Sequence, residues 1–345
     1  MPAGVTSETH LSLAVNPLVT IVAPAYRAAR FVRQCVESVL AQTYPSWELV
    51  VADDGSDDGT PEIVESFRDP RIRVLRLPHR GLPALADTYN AALAAGTGRL
   101  VAVLEADDWW PADKLAVQVR GFEDLPTVQL SWGAGAWVDV EGRPLEVQRL
   151  APEGSGDRRF STDELFRLLL REYVTSPSIT VMTRRSALER IGGFRQDGSS
   201  HYVDFPTWLA LLARNPGAAL WHDHVLGCWR RYPQQTTTRF GPRMRRERWR
   251  VVREVVKRLD ADALQSVGWS PTLARANWAE WALGCGRAAL KSGRHGRAWR
   301  LHAEVLRRGP SARHRAKALA GLAAAGLRVD LPGAWRRVRL RLRGR

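Results

Sequence analysis

Short apolar runs alternate with segments of helical periodicity along the first third of the chain. Apolar runs short enough to be buried strands occupy residues 18–23, 48–52, 72–77 and 100–104. Apolar residues at helical spacing predict helices at residues 31–40, from residue 60 onward and at residues 82–95. This βαβαβαβ order predicts an α/β fold with a mostly parallel sheet and helices on both of its faces.

Candidate ligand-binding residues directly follow three of the four predicted strands. They are Pro24 and Tyr26 after the first strand, Asp53 and Asp54 after the second, and Glu105, Asp107 and Asp108 after the fourth. Because ligands bind at the carboxyl ends of the strands in such sheets, we expect these residues to share one crevice. The three acids after the fourth strand repel one another, so either water solvates them or a cation binds them.

Two common phosphate-binding motifs are missing from the sequence. The first strand leads into the residues APAYRAARF, which contain no glycine and therefore exclude the GxGxxG motif of dinucleotide-binding folds. No GxxxxGK[ST] sequence occurs, which excludes a P-loop. The diphosphate of a bound nucleotide would then be neutralised in another way, and a divalent metal held by carboxylates is the natural substitute.

The composition of the 345-residue chain is ordinary for a soluble globular protein. Its three cysteines, Cys35, Cys228 and Cys285, form no CxxC pair, which argues against a disulfide framework and against a zinc site. No apolar run reaches the roughly 18 residues of a membrane span. Residues 1–16 have the character of a flexible polar leader and not of a signal peptide. These features favour a cytoplasmic location.

The net charge of +15 is concentrated towards the end of the chain. Residues 240–345 contain 26 Lys and Arg against 7 Asp and Glu, whereas residues 1–239 contain 25 basic and 29 acidic residues. This change predicts a boundary near residue 240, between a domain at residues 17–239 and a basic helical region at residues 240–345. An anionic partner suits the basic region. Nucleic acid is not the expected partner, because the region contains no recognisable nucleic-acid-binding motif.

Several motifs, in order and at matching spacing, resemble the family-2 glycosyltransferases of the GT-A fold. They are VTIVAPAYRAARFVRQCVESVLAQTYPSWELVVADDGSDDGT, then LEADDWW, and later RRSALERIGGF. The resemblance runs from about residue 18 to about residue 238. It implies transfer of a sugar from a nucleotide diphosphate sugar to an acceptor hydroxyl, with inversion at the anomeric carbon. The implied role is the synthesis of polysaccharides, glycolipids or other glycoconjugates.

The resemblance assigns the nucleoside end of the donor site to two loops. Pro24 and Tyr26 match the family's first-strand loop, which lines the nucleoside. Asp54, with Asp53 beside it, matches the acidic pair that usually binds the base or the ribose. A simpler role is also open to this pair, because the sequence Asp-Asp-Gly-Ser readily forms a turn.

The resemblance places the chemistry on a second group of residues. Glu105 and Asp107 occupy the family's DxD position as donor contacts, and Asp107 and Asp108 are the expected ligands of Mn²⁺ or Mg²⁺. Asp204, in HYVDFPTW, matches the general base, although a helix N-cap would use the same residue type. Arg230, in CWRRYPQQ, is expected to meet phosphate oxygens of the donor.

Arg27 stands where the family often has Asn, and four further positions depart from the family pattern. Glu105 replaces the first Asp of the DxD motif, and Val203 replaces a Glu before the base. Tyr232 replaces the His of a Tyr-Arg-x-His loop, and Tyr89 stands where Arg is common. The departures at Glu105, Val203 and Tyr232 leave a second class of function open, namely a catalytically impaired glycosyltransferase-like protein that binds nucleotide or glycan without turnover.

The end of the sequence, LPGAWRRVRLRLRGR, combines an apolar helical face with arginines. Leu331, Trp335, Val338 and Leu342 fall on one face of a helix, with six arginines between residues 336 and 345. Such a face suits the interface of an anionic membrane, although the alternating VRLRLR pattern would also suit an edge strand. Lipid-linked acceptors are common in the resembling family. We therefore expect peripheral association with the inner face of the cytoplasmic membrane.

Overall fold

The computed structural model describes residues 16–150, 153–171, 178–197 and 201–327. The chain divides into two compact units between Val267 and Gly268. The predicted membrane-binding segment after residue 330 lies outside the described residues, as does the predicted leader apart from its last residue. No helix in the described ranges is both long enough and apolar enough to cross a bilayer.

The first unit alternates strands and helices through most of its length. In chain order its elements are β1 (Val19–Ala25), α1 (Val32–Leu40), β2 (Trp47–Asp53), α2 (Thr60–Glu65), β3 (Ile72–Arg76), α3 (Leu85–Ala95), β4 (Leu100–Val103), α4 (Lys114–Asp124), β5 (Val128–Val138), β6 (Pro144–Gln148), β7 (Arg158–Ser161), α5 (Thr162–Arg171), β8 (Met182–Arg184), α6 (Arg185–Arg190), α7 (Asp204–Arg214), β9 (Ala218–Arg230), α8 (Thr236–Lys257) and α9 (Ala261–Ser266). Single 3₁₀ turns lie at Leu82–Ala84 and Ser178–Thr180.

One sheet organises the first unit, with the strand order β3-β2-β1-β4-β8-β5-β9-β7 and with β6 paired to β5. β1 is parallel to β2 and β4, and β2 is parallel to β3, which confirms the predicted mostly parallel sheet. β8 lies antiparallel between β4 and β5. Every residue of β1 and β4 is buried, as expected for parallel strands that are packed on both faces.

The register of the parallel strands brings their carboxyl ends together. Val22 of β1 is level with Val50 of β2 and with Val103 of β4, so the loops after these three strands lie side by side. The end of β9 reaches the same place. There Trp109 and Cys228 exchange two backbone hydrogen bonds of 3.3 and 2.8 Å, which fasten the loop after β4 to β9.

The first unit extends beyond the change in charge. The boundary expected near residue 240 falls inside α8, and both α8 and α9 pack on α7. Val251, Val252 and Val255 of α8 are buried, so this basic helix is an integral part of the first unit. The division between the compact units therefore comes later than the composition suggests.

The described part of the second unit consists of α10 (Pro271–Lys291), α11 (His295–Arg308) and α12 (Ala312–Gly326). These helices confirm the helical character expected in this part of the basic region, and small residues let them approach closely. His302 of α11 is only 1% exposed, and its ring lies against Gly286 of α10 and Gly321 of α12. A Cβ atom at either glycine would come within 2.6 Å of the imidazole ring.

Candidate active site

A cavity of about 800 Å³ opens at the carboxyl ends of β1, β2 and β4. The loops after these strands line it, together with the start of α7 and the segment that joins β9 to α8. The predicted site residues in its lining are Pro24, Tyr26, Asp54, Glu105, Asp107 and Asp204. Three further predicted residues, Asp53, Asp108 and Arg230, do not line it.

One end of the cavity combines an aromatic stack with a fixed carboxylate. The ring of Tyr26 stacks on that of His79, with the centroids 4.3 Å apart and the planes at 19°. The Asp54 carboxylate accepts the backbone N–H groups of Arg80 at 2.9 Å and Gly81 at 2.8 Å, while His79 Nδ1 lies 2.8 Å from the Asp54 carbonyl oxygen. Asp54 thereby holds the loop that carries the stacked imidazole, and the surface suits a flat, polar base.

Asp53 has a different role from its neighbour. Its carboxylate accepts the backbone N–H of Ser56 at 2.8 Å and the Ser56 hydroxyl at 2.5 Å, and the residue is only 1% exposed. Asp53 therefore forms the turn after β2 and does not provide a donor-binding group in the cavity. Successive side chains at the end of a strand point in opposite directions, so only one acid of the pair can face the cavity.

Glu105 and Asp107 face the cavity, and each accepts a hydrogen bond from a tyrosine. Tyr89 donates to Glu105 Oε1 at 2.8 Å, and Tyr232 donates to Asp107 Oδ2 at 2.8 Å. Desolvation, followed by the nearby charge of Asp107, raises the pKa of Glu105 to about 8. Desolvation also raises the pKa of Asp107, although the Tyr232 hydrogen bond opposes this shift. Two of the departures from the family pattern thus serve as hydroxyl donors to the acids.

Asp108 points away from the cavity, so the expectation that it binds metal requires correction. Its Oδ1 accepts the backbone N–H of Arg230 at 2.7 Å, and its Oδ2 is buried without a hydrogen-bond partner. Desolvation, followed by the charges of Asp107 and Glu105, raises the pKa of Asp108 well above its usual range. Successive side chains again point in opposite directions: Asp107 faces the cavity, and Asp108 turns towards β9.

Arg230 is likewise not placed to meet a phosphate. Its guanidinium donates to the Asp107 carbonyl oxygen at 2.9 Å, to the Val140 carbonyl oxygen at 2.8 Å and to Gln34 Oε1 at 2.6 Å. The same group lies 4.5 Å from the ring centroid of Phe31 and 4.7 Å from that of Trp109. Arg230 is 2% exposed and joins the loop after β4, which carries the acids, to the end of β9.

Asp204 is the first residue of α7 and lines the cavity, whereas the N-cap position belongs to Val203. One carboxylate oxygen accepts the Ser178 hydroxyl at 3.1 Å, and the other accepts the backbone N–H of Phe205 at 2.7 Å. Desolvation raises the pKa of Asp204 to about 6, which makes it a better proton acceptor than a solvated aspartate but leaves it mostly ionised at neutral pH.

Sequence reasoning missed several residues of the cavity wall. The β9–α8 segment and the start of α8 contribute Gln234, Gln235, Thr236, Thr237 and Arg239. Ser178 and His201 complete the wall beside Asp204. The polar run QQTT after an apolar strand was a usable signal, but the strand order that brings β9 to this edge of the sheet has no local signature. Ser178 had no signal of its own.

The carboxylates at the cavity fit a divalent metal that shares its ligands with a substrate. No group of three or more His, Cys, Asp and Glu side chains is arranged as a metal site within the described residues. Glu105 and Asp107 nevertheless offer hard oxygen donors on one wall. Mg²⁺ commonly binds through one or two carboxylates and completes its shell with substrate phosphates and water.

Sequence comparison gives matches to glycosyltransferases. The family model described as "Glycosyl transferase family 2" matches residues 20–192. A putative teichuronic acid biosynthesis glycosyltransferase of Bacillus subtilis, TuaG, is 32% identical over 201 residues, which cover 58% of this chain and 73% of TuaG. The Escherichia coli enzyme WfgD, a UDP-Glc:α-D-GlcNAc-diphosphoundecaprenol β-1,3-glucosyltransferase, is 41% identical over 102 residues, covering 30% of this chain and 40% of WfgD.

Solved structures share the fold at low sequence identity. Residues 1–349 of TarS from S. aureus, in complex with UDP-GlcNAc, align with a TM-score of 0.56 and 16% identity over 90% of each chain. The mannosyltransferase PcManGT of Pyrobaculum calidifontis, in complex with GDP-Man and Mn²⁺, aligns with a TM-score of 0.53 and 22% identity, covering 93% of this chain and 88% of that one.

The role of Arg230 can be tested by comparison with Arg239, which lines the cavity. Arg230→Gln should lower the free energy of unfolding by about 2–4 kcal/mol, because three acceptors lose a buried charged donor. Arg239→Gln should change it by less than about 0.5 kcal/mol, the usual scale for a residue without such contacts. Urea unfolding measures both. Equal stability of the two variants would contradict the structural role of Arg230.

Proposed function

Since the chain belongs to glycosyl transferase family 2, we propose that it transfers a sugar from a nucleotide diphosphate sugar to an acceptor hydroxyl, with inversion at the anomeric carbon. The observation that carries this proposal is the single cavity in which a nucleoside-type surface, a pair of acids and an activated aspartate meet. TarS and PcManGT have been solved with UDP-GlcNAc and with GDP-Man. Their folds support the same class of donor here.

The donor would lie with its base and ribose at Tyr26 and Asp54. Its diphosphate would lie towards Glu105 and Asp107, and the anomeric carbon would face Asp204. The polar start of α8 lines the same cavity and adds Arg239, whose positive charge suits a departing diphosphate. Pro24 belongs to the floor beneath the nucleoside.

Asp204 would act as the general base. As the acceptor oxygen attacks the anomeric carbon, its proton passes to the Asp204 carboxylate, and the bond to the nucleotide diphosphate breaks on the opposite face of the sugar. A carboxylate also stabilises the positive charge that develops on the sugar ring. Its raised pKa keeps the residue basic near neutral pH, where general-base assistance is most effective.

We further propose that Mn²⁺ or Mg²⁺ assists the reaction, held by Asp107 with Glu105 in support. When bound, the ion would neutralise charge on the departing diphosphate as a Lewis acid. Two observations support this proposal: the carboxylate oxygens at the cavity are ligands that these metals prefer, and PcManGT was solved with Mn²⁺. Asp108 is not one of the proposed ligands, because it does not line the cavity and its carboxylate accepts the backbone N–H of Arg230.

The basic second unit supports an acceptor at a membrane surface. Its described residues 268–327 contain 11 Lys and Arg against two Glu, and Trp299 of α11 is 53% exposed. Each basic residue near an anionic lipid surface contributes about 1 kcal/mol to binding. The name of WfgD specifies a diphosphoundecaprenol-linked acceptor. We propose that this protein likewise modifies a lipid-linked acceptor at the inner face of the cytoplasmic membrane.

The base is tested by Asp204→Asn, which should lower turnover by roughly 10²-fold or more while leaving donor affinity nearly unchanged. In the wild-type protein, activity should fall as the pH drops below about 6, because protonation removes the acceptor of the proton. The measurement is kcat/KM against pH with a donor selected from a nucleotide-sugar panel by thermal shift.

A wild-type protein that binds the donor but neither transfers nor hydrolyses it would instead support the impaired, binding-only alternative.

The metal site is tested by Asp107→Ala, with Asp113→Ala as the control on an exposed acid of the same loop. Asp107→Ala should lower turnover by at least about 10³-fold, since the Lewis acid supplies several kcal/mol. It should also weaken Mn²⁺ binding measured by calorimetry in the presence of UDP. Full activity of Asp107→Ala in excess chelator would exclude the metal proposal and leave the glycosyltransferase assignment intact.

Membrane association is tested by sedimentation with vesicles of anionic and of neutral lipid. The full chain should pellet with anionic vesicles at low salt and be released at high salt, because screening weakens the attraction. A chain that ends at Asp330 should pellet much less. If both forms bind equally, or neither binds, the proposed role of the terminal segment is wrong.

A further inference from the structure

We propose that Ser178 positions the Asp204 carboxylate for proton transfer, and that a buried polar chain through Gln118 holds Ser178 in place. This inference rests on the proposed function of Asp204 as the base. It assigns a role to a turn that no sequence motif marks, and to a buried lysine that the reaction itself does not use.

The first contact lies in the cavity. Ser178 is 5% exposed, lines the cavity and donates its hydroxyl to Asp204 Oδ2 at 3.1 Å. The backbone N–H of Phe205 donates to the other carboxylate oxygen at 2.7 Å. Because both carboxylate oxygens accept hydrogen bonds, the plane of the carboxylate is fixed, as is required of a base that must meet a hydroxyl within hydrogen-bond reach.

The turn that carries Ser178 is held from behind by two side chains. The indole N–H of Trp110 donates to the Ile179 carbonyl oxygen at 2.8 Å, and the Gln118 amide donates to the Thr180 carbonyl oxygen at 3.0 Å. β9 also presses on the turn, because a Cβ atom at Gly227 would lie only 2.7 Å from Ile179. The position of the Ser178 hydroxyl is therefore set by the protein interior.

Two backbone carbonyls and Lys114 together fix the direction of the Gln118 amide. The carbonyl oxygens of Thr180 and Ser131 can only accept, so the amide nitrogen must face them, at 3.0 and 3.1 Å. The amide oxygen then faces the amino group of Lys114, which is fully buried, lies 4.1 Å from the centroid of the Trp110 ring and donates to Gln118 Oε1 at 2.5 Å. Desolvation lowers the pKa of Lys114 well below its usual range, and a hydrogen bond to the amide oxygen is open to the charged and to the neutral amine.

The hydroxyl of Ser178 also bears on the protonation of the base. A donor to the ionised carboxylate stabilises the charged form, so its loss should raise the pKa of Asp204. Glu105 and Tyr89 face the same carboxylate, and His201 lines the same cavity. None of these groups changes in a Ser178 variant, so a difference between two pH profiles reports the lost hydroxyl.

The test compares Ser178→Ala with Thr183→Val, which removes a buried hydroxyl of β8 that donates to Gln129 outside the cavity. Ser178→Ala should lower kcat about tenfold with an unchanged KM for the donor, a partial loss of general-base assistance. The acid limb of its kcat/KM profile should move up by about one pH unit. Thr183→Val should keep the wild-type kcat and profile.

Two outcomes distinguish a failure of this inference from a failure of the proposal that Asp204 is the base. A Ser178→Ala variant with wild-type kcat and an unmoved acid limb overturns the positioning role, provided that Asp204→Asn is inactive. An Asp204→Asn variant with wild-type turnover overturns the base itself, and the role of Ser178 falls with it. Melting temperatures of the Ser178 and Thr183 variants show whether a general loss of stability accompanies either change.

Discussion

The burial of several carboxyl groups in one cavity wall is the constraint on which the site depends. Desolvation raises the pKa of all four acids, namely Glu105, Asp107, Asp108 and Asp204. Each acid accepts a hydrogen bond from an uncharged donor. In the same order, the donors are the Tyr89 hydroxyl, the Tyr232 hydroxyl, the Arg230 backbone N–H and the Ser178 hydroxyl. Such donors fix the geometry of the acids without adding positive charge. A cation that arrives with a diphosphate would favour the ionised forms of Glu105 and Asp107, which suits the proposed metal.

The sheet explains why these donors are available in one place. β1, β2 and β4 end level with one another, and β9 ends beside the loop that follows β4. Tyr232 lies just after β9 and therefore reaches Asp107. The Arg230 guanidinium instead makes three hydrogen bonds, one of which joins the end of β9 to the loop after β4. This arrangement gives two departures from the family pattern a structural role. Tyr89 and Tyr232 each donate a hydroxyl to an acid of the DxD position.

The parallel half of the fold could be predicted from the sequence because its strands are continuous apolar runs, and the rule that ligands bind at their carboxyl ends located the cavity. What local sequence could not reveal is the direction of adjacent side chains. Of Asp53 and Asp54, and of Asp107 and Asp108, only one member of each pair faces the cavity. The role of Arg230 was also hidden, since its acceptors come from α1, from the loop after β4 and from the loop after β5. Long-range pairing of this kind has no local pattern.

A single displacement, in which the acceptor attacks opposite the leaving group, inverts the configuration at the anomeric carbon. It can be read from the product by proton NMR of the newly formed glycosidic linkage, after reaction with an α-linked nucleotide sugar and a lipid-linked acceptor. A β-linked product is expected from the wild-type protein, because Asp204, as the proposed base, would direct the acceptor oxygen to the face opposite the diphosphate. An α-linked product would contradict the mechanism, since retention requires either two successive displacements or attack from the face of the leaving group.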